Sequence, residues 1–338
     1  MSMPRDFPAY SIGRVGLTES LPDGTHRPVQ ENSLEFAGLA FAANQGLIIL
    51  NKPNGFRTLR ALGESVVRNW ARSPVPFIFQ GDPRQMGAYV AIFLRDVAAD
   101  FPRSLFWNGD LNQLRPKGLG ALYFNRNMVL SMAAAAAQGG GSSPQAKKMS
   151  ARHRSHLFMF SLAMAHELTH LFVAYLAQGN LEDAAYTPPE VSFANYGSVP
   201  GDAGEVRGES GRWLESQLWG GAIEFYRDIE DDDGQTGIPF IHYESGQSRR
   251  IHSASIINLL TRLEDPGDVS LQTTGQPMTY QQRRAVGLLN LSSTQTVGPP
   301  QGRPMMGRQE GPLFSISRGE LVRVAHQPNY IPRATRVR

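Results

Sequence analysis

Apolar residues are sparse at the start of the chain and crowd together from Leu34 onward. Residues 1–33, rich in Pro, Gly, Ser and charge, read as an extended N-terminal arm with little structure of its own. The run GLIILN, Gly46 to Asn51, is short, continuous and bounded by Gly and by Lys52-Pro53, which predicts a buried strand. Leu59 to Ala71 carries the spacing of an amphipathic helix, and Phe77 to Gln80, Gly87 to Phe93 and Gly120 to Phe124 are apolar and β-rich. A mixed α/β layer is expected in this half.

Residues 132–150 pass from an Ala run into Gly, Ser and Lys, with too little apolar surface to order themselves, and read as a mobile loop. His153 to Gln178 follows as an uninterrupted helical run with Gly179 as its cap. Its stretch 157–176 is apolar enough to raise the question of a membrane span. Two His and a Glu at its centre argue against hydrocarbon and for a buried helix whose polar spots bind something. Farther on, residues 253–263 and Pro277 to Leu291 read as amphipathic helices, the second with Gln281, Gln282, Arg283 and Arg284 on its solvated side. Ser293 to Gln309 reads as a linker to a last strand, Leu313 to Val324. The domain reading is therefore an arm (1–33), a metal-binding domain (34–292) and a C-terminal linker with final strand and tail (293–338).

Composition narrows the function classes. The 338 residues and 41% hydrophobic content suffice for a real core, while 34 Gly and 23 Pro imply long irregular connections. The net charge of +3 is spread along the chain, with no clustered basic face of the kind nucleic acid requires. Arg333, Arg336 and Arg338 form only a small basic tail. Cysteine is absent, so any metal must sit on His and carboxylate. The polar, Pro-containing N-terminus does not read as a signal peptide, and a cytoplasmic protein is expected. The acidic run Glu230 to Asp233 lacks the alternating ligands of a calcium loop and reads as an acidic turn. Gly139 to Gly141 lacks the Lys-Ser/Thr of a phosphate-binding loop.

The chemistry concentrates in His166-Glu167-Leu168-Thr169-His170. Residues four apart on a helix differ by about 40°, so both imidazoles project from one face, one turn apart, and can share one ion. Glu167, beside them, can take a proton from water that such an ion has acidified. The flanks Phe158, Met159, Phe160, Leu162, Met164, Leu171, Phe172 and Val173 are apolar, so without a ligand these polar groups are buried at a cost. His153 and His156 lie too far along the helix to reach the same ion and read as solvated or capping residues.

This helix resembles the active-site helix of zincin metallopeptidases over His153 to about Asp228. The metzincin pattern is excluded, because it needs Gly and His where this chain has Val173 and Leu176. The resemblance implies an α+β zincin-like fold: the active-site helix beside a small twisted mixed sheet, a second helix supplying the third ligand, and one Zn²⁺ per chain. As in gluzincins, that ligand is a downstream carboxylate. Glu209, opening GESGRWLE in the manner of their Asn-Glu-Gly helix, is the first choice, with Glu215 and Glu224 as rivals. Glu215 lies about 120° from Glu209 around the helix, so the two cannot easily face one ion. Asp228 is a possible support for Glu224. An Asp ligand, as in aspzincins, is suggested only by Tyr196-Gly197. HELTH, then Thr187-Pro188-Pro189-Glu190, GESGRWLE and Gly220-Gly221 also resemble a set of uncharacterised fungal metallopeptidase-like proteins. Tyr196, Arg207, Arg212 and Tyr226 are candidates for stabilising an oxyanion, and Trp213 and Trp219 read as core.

The function expected from this constellation is zinc-dependent hydrolysis of an amide or peptide, with His166, His170 and Glu209 as ligands and Glu167 as general base. The alternatives are a zinc Lewis-acid enzyme acting on a small molecule, by cyclisation or elimination, and a binding protein that keeps the fold without turnover.

Overall fold

In the computed structural model the most apolar stretch becomes a central helix, α1 (Leu34–Asn51), in which every residue from Phe36 to Asn51 is buried. The described residues are 15–20, 26–70, 89–94, 121–176, 187–194, 208–232, 234–262, 267–290, 313–316 and 318–337. Ser33 caps α1 by accepting from the Phe36 N–H at 3.1 Å, and extended Lys52 ends it ahead of Pro53. The strand expected at Gly46 to Asn51 is thus the last part of α1. A helix buried on all sides shows no polar face, so its period is hidden and a piece of it reads as a short apolar run. Among the described residues α1 is the one helix long and apolar enough to cross a membrane, and 89% of that window is buried inside the protein.

Pro53 starts α2 (Pro53–Trp70), whose Leu59, Leu62 and Val66 point into the core as the amphipathic reading required. The expected mobile loop at 132–150 is largely helical. Asn125 caps α3 (Arg126–Gln138), in which the Ala run is carried by Met128, Val129, Met132 and Ala136 against the core. Ser143 then caps the first turn of α4 (Pro144–Leu176), a 33-residue helix. Alanine has the highest helix propensity, and tertiary burial supplies what the local composition lacks.

The remaining helices among the described residues are α5 (Ser210–Trp219), α6 (Ser253–Thr261), α7 (Tyr280–Ala285) and α8 (Arg318–His326). α7 is shorter than the helix expected over Pro277 to Leu291. Its Arg283 is buried rather than solvated, donating to the Ser248 hydroxyl at 2.7 Å and lying over the Tyr226 ring. The last strand expected at Leu313 to Val324 is split between a strand and α8, because Leu321, Val324 and Ala325 share one helical face in the core.

The described strands form two antiparallel sheets. The first takes β1 (Val15–Ser20), β2 (His26–Pro28), β3 (Tyr89–Leu94), β4 (Ala121–Asn125), β10 (Leu313–Ile316) and β11 (Ala334–Val337), in the order β11-β10-β1-β3-β4 with β2 on β1. The described part of the expected arm is therefore tied into a sheet, where Glu19 pairs with Arg27 and Arg126. The second has the order β8-β7-β6-β5-β9, from β5 (Ala222–Arg227), β6 (Ile238–His242), β7 (Ser248–Ile251), β8 (Thr273–Met278) and β9 (Leu289–Asn290). All pairings among the described residues are antiparallel, so the class is α+β but the mixed sheet expected beside the site helix is not found. The acidic segment does turn, with Asp231 and Asp232 paired to Arg152. The expected strand Phe77 to Gln80, the helix end at Gln178 and Gly179, the linker Ser293 to Gln309, and Tyr196 and Arg207 lie outside the described residues.

The site is positioned by helix packing. α4 crosses α1 so closely that a Cβ on Gly46 would sit 2.5 Å from Met164 Cγ and 3.0 Å from the Ala165 nitrogen. α4 also carries His153 and His156, expected to be solvated or capping but 1% and 0% exposed. The His156 Nδ1–H donates to the Arg152 carbonyl at 3.0 Å. The His153 ring lies near the Met132 and Val324 carbonyls without reaching hydrogen-bond geometry with either.

Burial pushes both imidazoles down from 6.5 to about 4, and the nearby carbonyls only partly offset it. Above the unfolded value of 6.5 both states are neutral, while between 6.5 and about 4 only the unfolded chain gains protons, so stability falls as pH falls. The expected loss is roughly 2 kcal/mol per ring between pH 7 and pH 5. Urea denaturation at the two pH values checks it: His153→Leu should show a shallower dependence than the parent, and an unchanged dependence would refute the assignment.

Candidate metal centre

His166 and His170 sit one turn apart on α4, and α5 brings Glu209 to them. Glu209 Oε1 is 3.2 Å from His166 Nε2 and 2.7 Å from His170 Nε2, and the two Nε2 atoms are 3.3 Å apart. These three side chains form the one group among the described residues that could hold a metal ion. Glu209 is the N-cap of α5: its other oxygen accepts from the Arg212 backbone N–H, so one carboxylate oxygen anchors the helix and the other faces the imidazoles. The segment before it is braced from outside, with Glu209 N–H donating to Val191 O at 2.8 Å and Gly208 N–H to Thr187 O at 3.0 Å. Gly208 and Gly211 permit this closeness, since a Cβ on Gly208 would lie 2.0 Å from Pro188 O and one on Gly211 2.4 Å from the His166 ring.

The far nitrogen of each imidazole is also held. The His166 Nδ1–H donates to Glu215 Oε1 at 2.8 Å, which turns the Nε2 side of the ring toward His170 and Glu209. His170 Nδ1 meets the Ser210 hydroxyl at 2.9 Å. Glu215 Oε2 accepts from Ile223 N–H and from Arg212 Nη1, each at 2.8 Å. Glu215 therefore holds the His166 ring from outside instead of joining the group formed by His166, His170 and Glu209, in keeping with its separation from Glu209 around α5.

Three acceptor atoms converge here, and a proton or a cation must lie among them to offset their repulsion. Burial disfavours the charged form of His166, but Glu209 and Glu215 outweigh it and push its pKa up to about 10. Burial likewise opposes the Glu209 carboxylate, yet the two imidazoles hold it well below the usual carboxylate range. The donor set suits a divalent cation. With bonds of about 2.0–2.1 Å a tetrahedral ion would need ligand separations of about 3.3–3.4 Å; the 3.3 Å edge has this, the 3.2 Å edge is close to it, and the 2.7 Å edge is shorter.

Glu167 is half-buried beside His166, and among the described residues no hydrogen bond or ion pair engages its carboxylate. Glu224 is not brought to the centre. It lies on β5, where it accepts from the Tyr226 hydroxyl. Asp228 instead accepts from the Glu230 N–H at 3.0 Å. Two of the oxyanion candidates are committed elsewhere: Tyr226 to Glu224, and Arg212 Nη1 to Glu215 and, at 2.6 Å, to Ile223 O. Trp219 is buried and Trp213 packs against the core, as read. Ser210 and Gly211 were not singled out from sequence; the glycine pair 208 and 211 around Glu209 is the one local signal for the close approach. No family model, curated protein or solved structure matches the chain, so the reading of this site rests on its geometry.

Because His166 holds its proton up to about 10, a cation entering the triangle must displace it, and affinity should rise about tenfold per pH unit below that value. Calorimetric titration with a divalent metal near pH 7, in buffers of different ionisation enthalpy, should report release of about one proton per ion. Release of none would mean the ion binds elsewhere. Gly211→Ala should weaken this binding severely by pushing α5 off the His166 ring.

Proposed function

We propose that this chain is a zinc-dependent hydrolase acting on an amide or peptide. The observation that supports it most is the convergence of His166 Nε2, His170 Nε2 and Glu209 Oε1, with both remote ring nitrogens already held by Glu215 and Ser210. Two imidazoles and one carboxylate are the ligand set of catalytic zinc sites that keep a position open, and bound zinc supplies Lewis acidity for polarising a carbonyl and acidifying water.

The protein's own groups do the rest. Glu215 and Ser210 keep the two rings in their ligating orientation, and the N-cap geometry of Glu209 keeps one oxygen turned inward. Glu167 is the group free to move a proton. It takes one from the attacking water and delivers it to the leaving nitrogen, which balances the cleavage of an amide into acid and amine.

Purified protein should carry about one zinc per chain by elemental analysis. Glu167→Gln should keep the metal and lose cleavage of a mixed peptide library, whereas His166→Ala should lose the metal. A folded Glu167→Gln protein without zinc would make Glu167 a ligand and overturn its role as base. A zinc-loaded parent that leaves peptides and amides intact would instead favour Lewis-acid chemistry on a small molecule.

A further inference from the structure

We propose that Arg212 is the positioning residue of the metal centre, locking Glu215 against His166 and tying the centre to the edge of β5. The inference rests on the metal-site reading above and gives it a component outside the group of His166, His170 and Glu209. Arg212 Nη1 donates to Glu215 Oε2 at 2.8 Å and to Ile223 O at 2.6 Å. Ile223 N–H donates to the same Glu215 oxygen at 2.8 Å. Glu215 Oε2 is thus gripped by two donors while Oε1 accepts from the His166 Nδ1–H at 2.8 Å.

The closed ring of contacts has two consequences. Ile223 lies on β5 at the end beyond the β9 pairing, which covers Tyr226 and Arg227, and its N–H and C=O are satisfied by α5 side chains in place of a strand. The edge of the second sheet therefore sets how far α5, and with it Glu209, can move relative to α4. Secondly, Arg212 serves both carboxylates of the centre through different atoms: its side chain holds the outer oxygen of Glu215, and its backbone N–H holds the outer oxygen of Glu209. A side-chain substitution leaves the Glu209 cap in place, so the two roles separate. A planar guanidinium can direct one nitrogen's two hydrogens at two in-plane acceptors, a geometry that a point-like ammonium does not enforce.

The test compares wild type, Arg212→Met, Glu215→Gln and the double variant. Zinc affinity is read by chelator competition, the absorption spectrum of the Co²⁺-substituted protein reports ligand geometry, and circular dichroism confirms folding. Arg212→Met should weaken zinc binding by ~10 to 100-fold, as loss of support for a ligand does, and should shift the Co²⁺ bands. The double variant should be no weaker than Glu215→Gln alone, because Arg212 acts through Glu215. Wild-type affinity and spectrum in Arg212→Met, or losses that simply multiply in the double variant, would overturn the assignment. If Arg212→Met does not fold, Arg212→Gln replaces it, and wild-type affinity and spectrum there overturn the assignment equally. A wild-type protein that binds neither Zn²⁺ nor Co²⁺ defeats the metal reading itself, whereas the other adverse outcomes defeat only the role of Arg212.

Discussion

Two imidazole nitrogens and a carboxylate oxygen face one another at 2.7–3.3 Å, and the rest of the described structure answers the demand this convergence makes. Acceptors do not assemble by themselves. Each must be held in place by something stronger than their mutual repulsion, and positive charge must occupy the space between them. The helical spacing of His166 and His170 places two of them, and everything that brings in the third is tertiary.

Glycines set the distances. Gly46 lets α1 approach α4 within reach of Met164 and Ala165, so the site helix is seated on a fully buried partner. Gly211 lets α5 lie against the His166 ring, and Gly208 lets the chain pass beneath Pro188 and Val191 before the turn that delivers Glu209. The backbone bonds from Thr187 and Val191 hold that entry, and the Arg212, Glu215 and Ile223 contacts hold the exit. Glu209 sits between two fixed points.

Charge follows the same economy. His166, flanked by two carboxylates, retains a proton to about pH 10, while His153 and His156, thirteen and ten residues earlier on the same helix, are held neutral down to about pH 4. The residue type and the helix are the same. The difference is whether a carboxylate faces the ring, since burial opposes the imidazolium in all three.

The sequence by itself determined that His166 and His170 share one face of a helix, because that follows from their spacing of four residues. Glu209 is preferred to Glu215 and Glu224 through the resemblance to gluzincins, and only the fold brings it to the two imidazoles. The sequence misread Gly46 to Asn51 as a strand and residues 132–150 as a loop, because a helix buried all round has no polar face to show its period and an Ala run is ordered by what packs on it. It could not show that Glu215 and Ser210 each hold one imidazole, that Arg283 is buried, or that the first and last strands share a sheet. Those contacts join residues about 35 to 300 positions apart, and only the folded chain decides which of many compatible side chains meet.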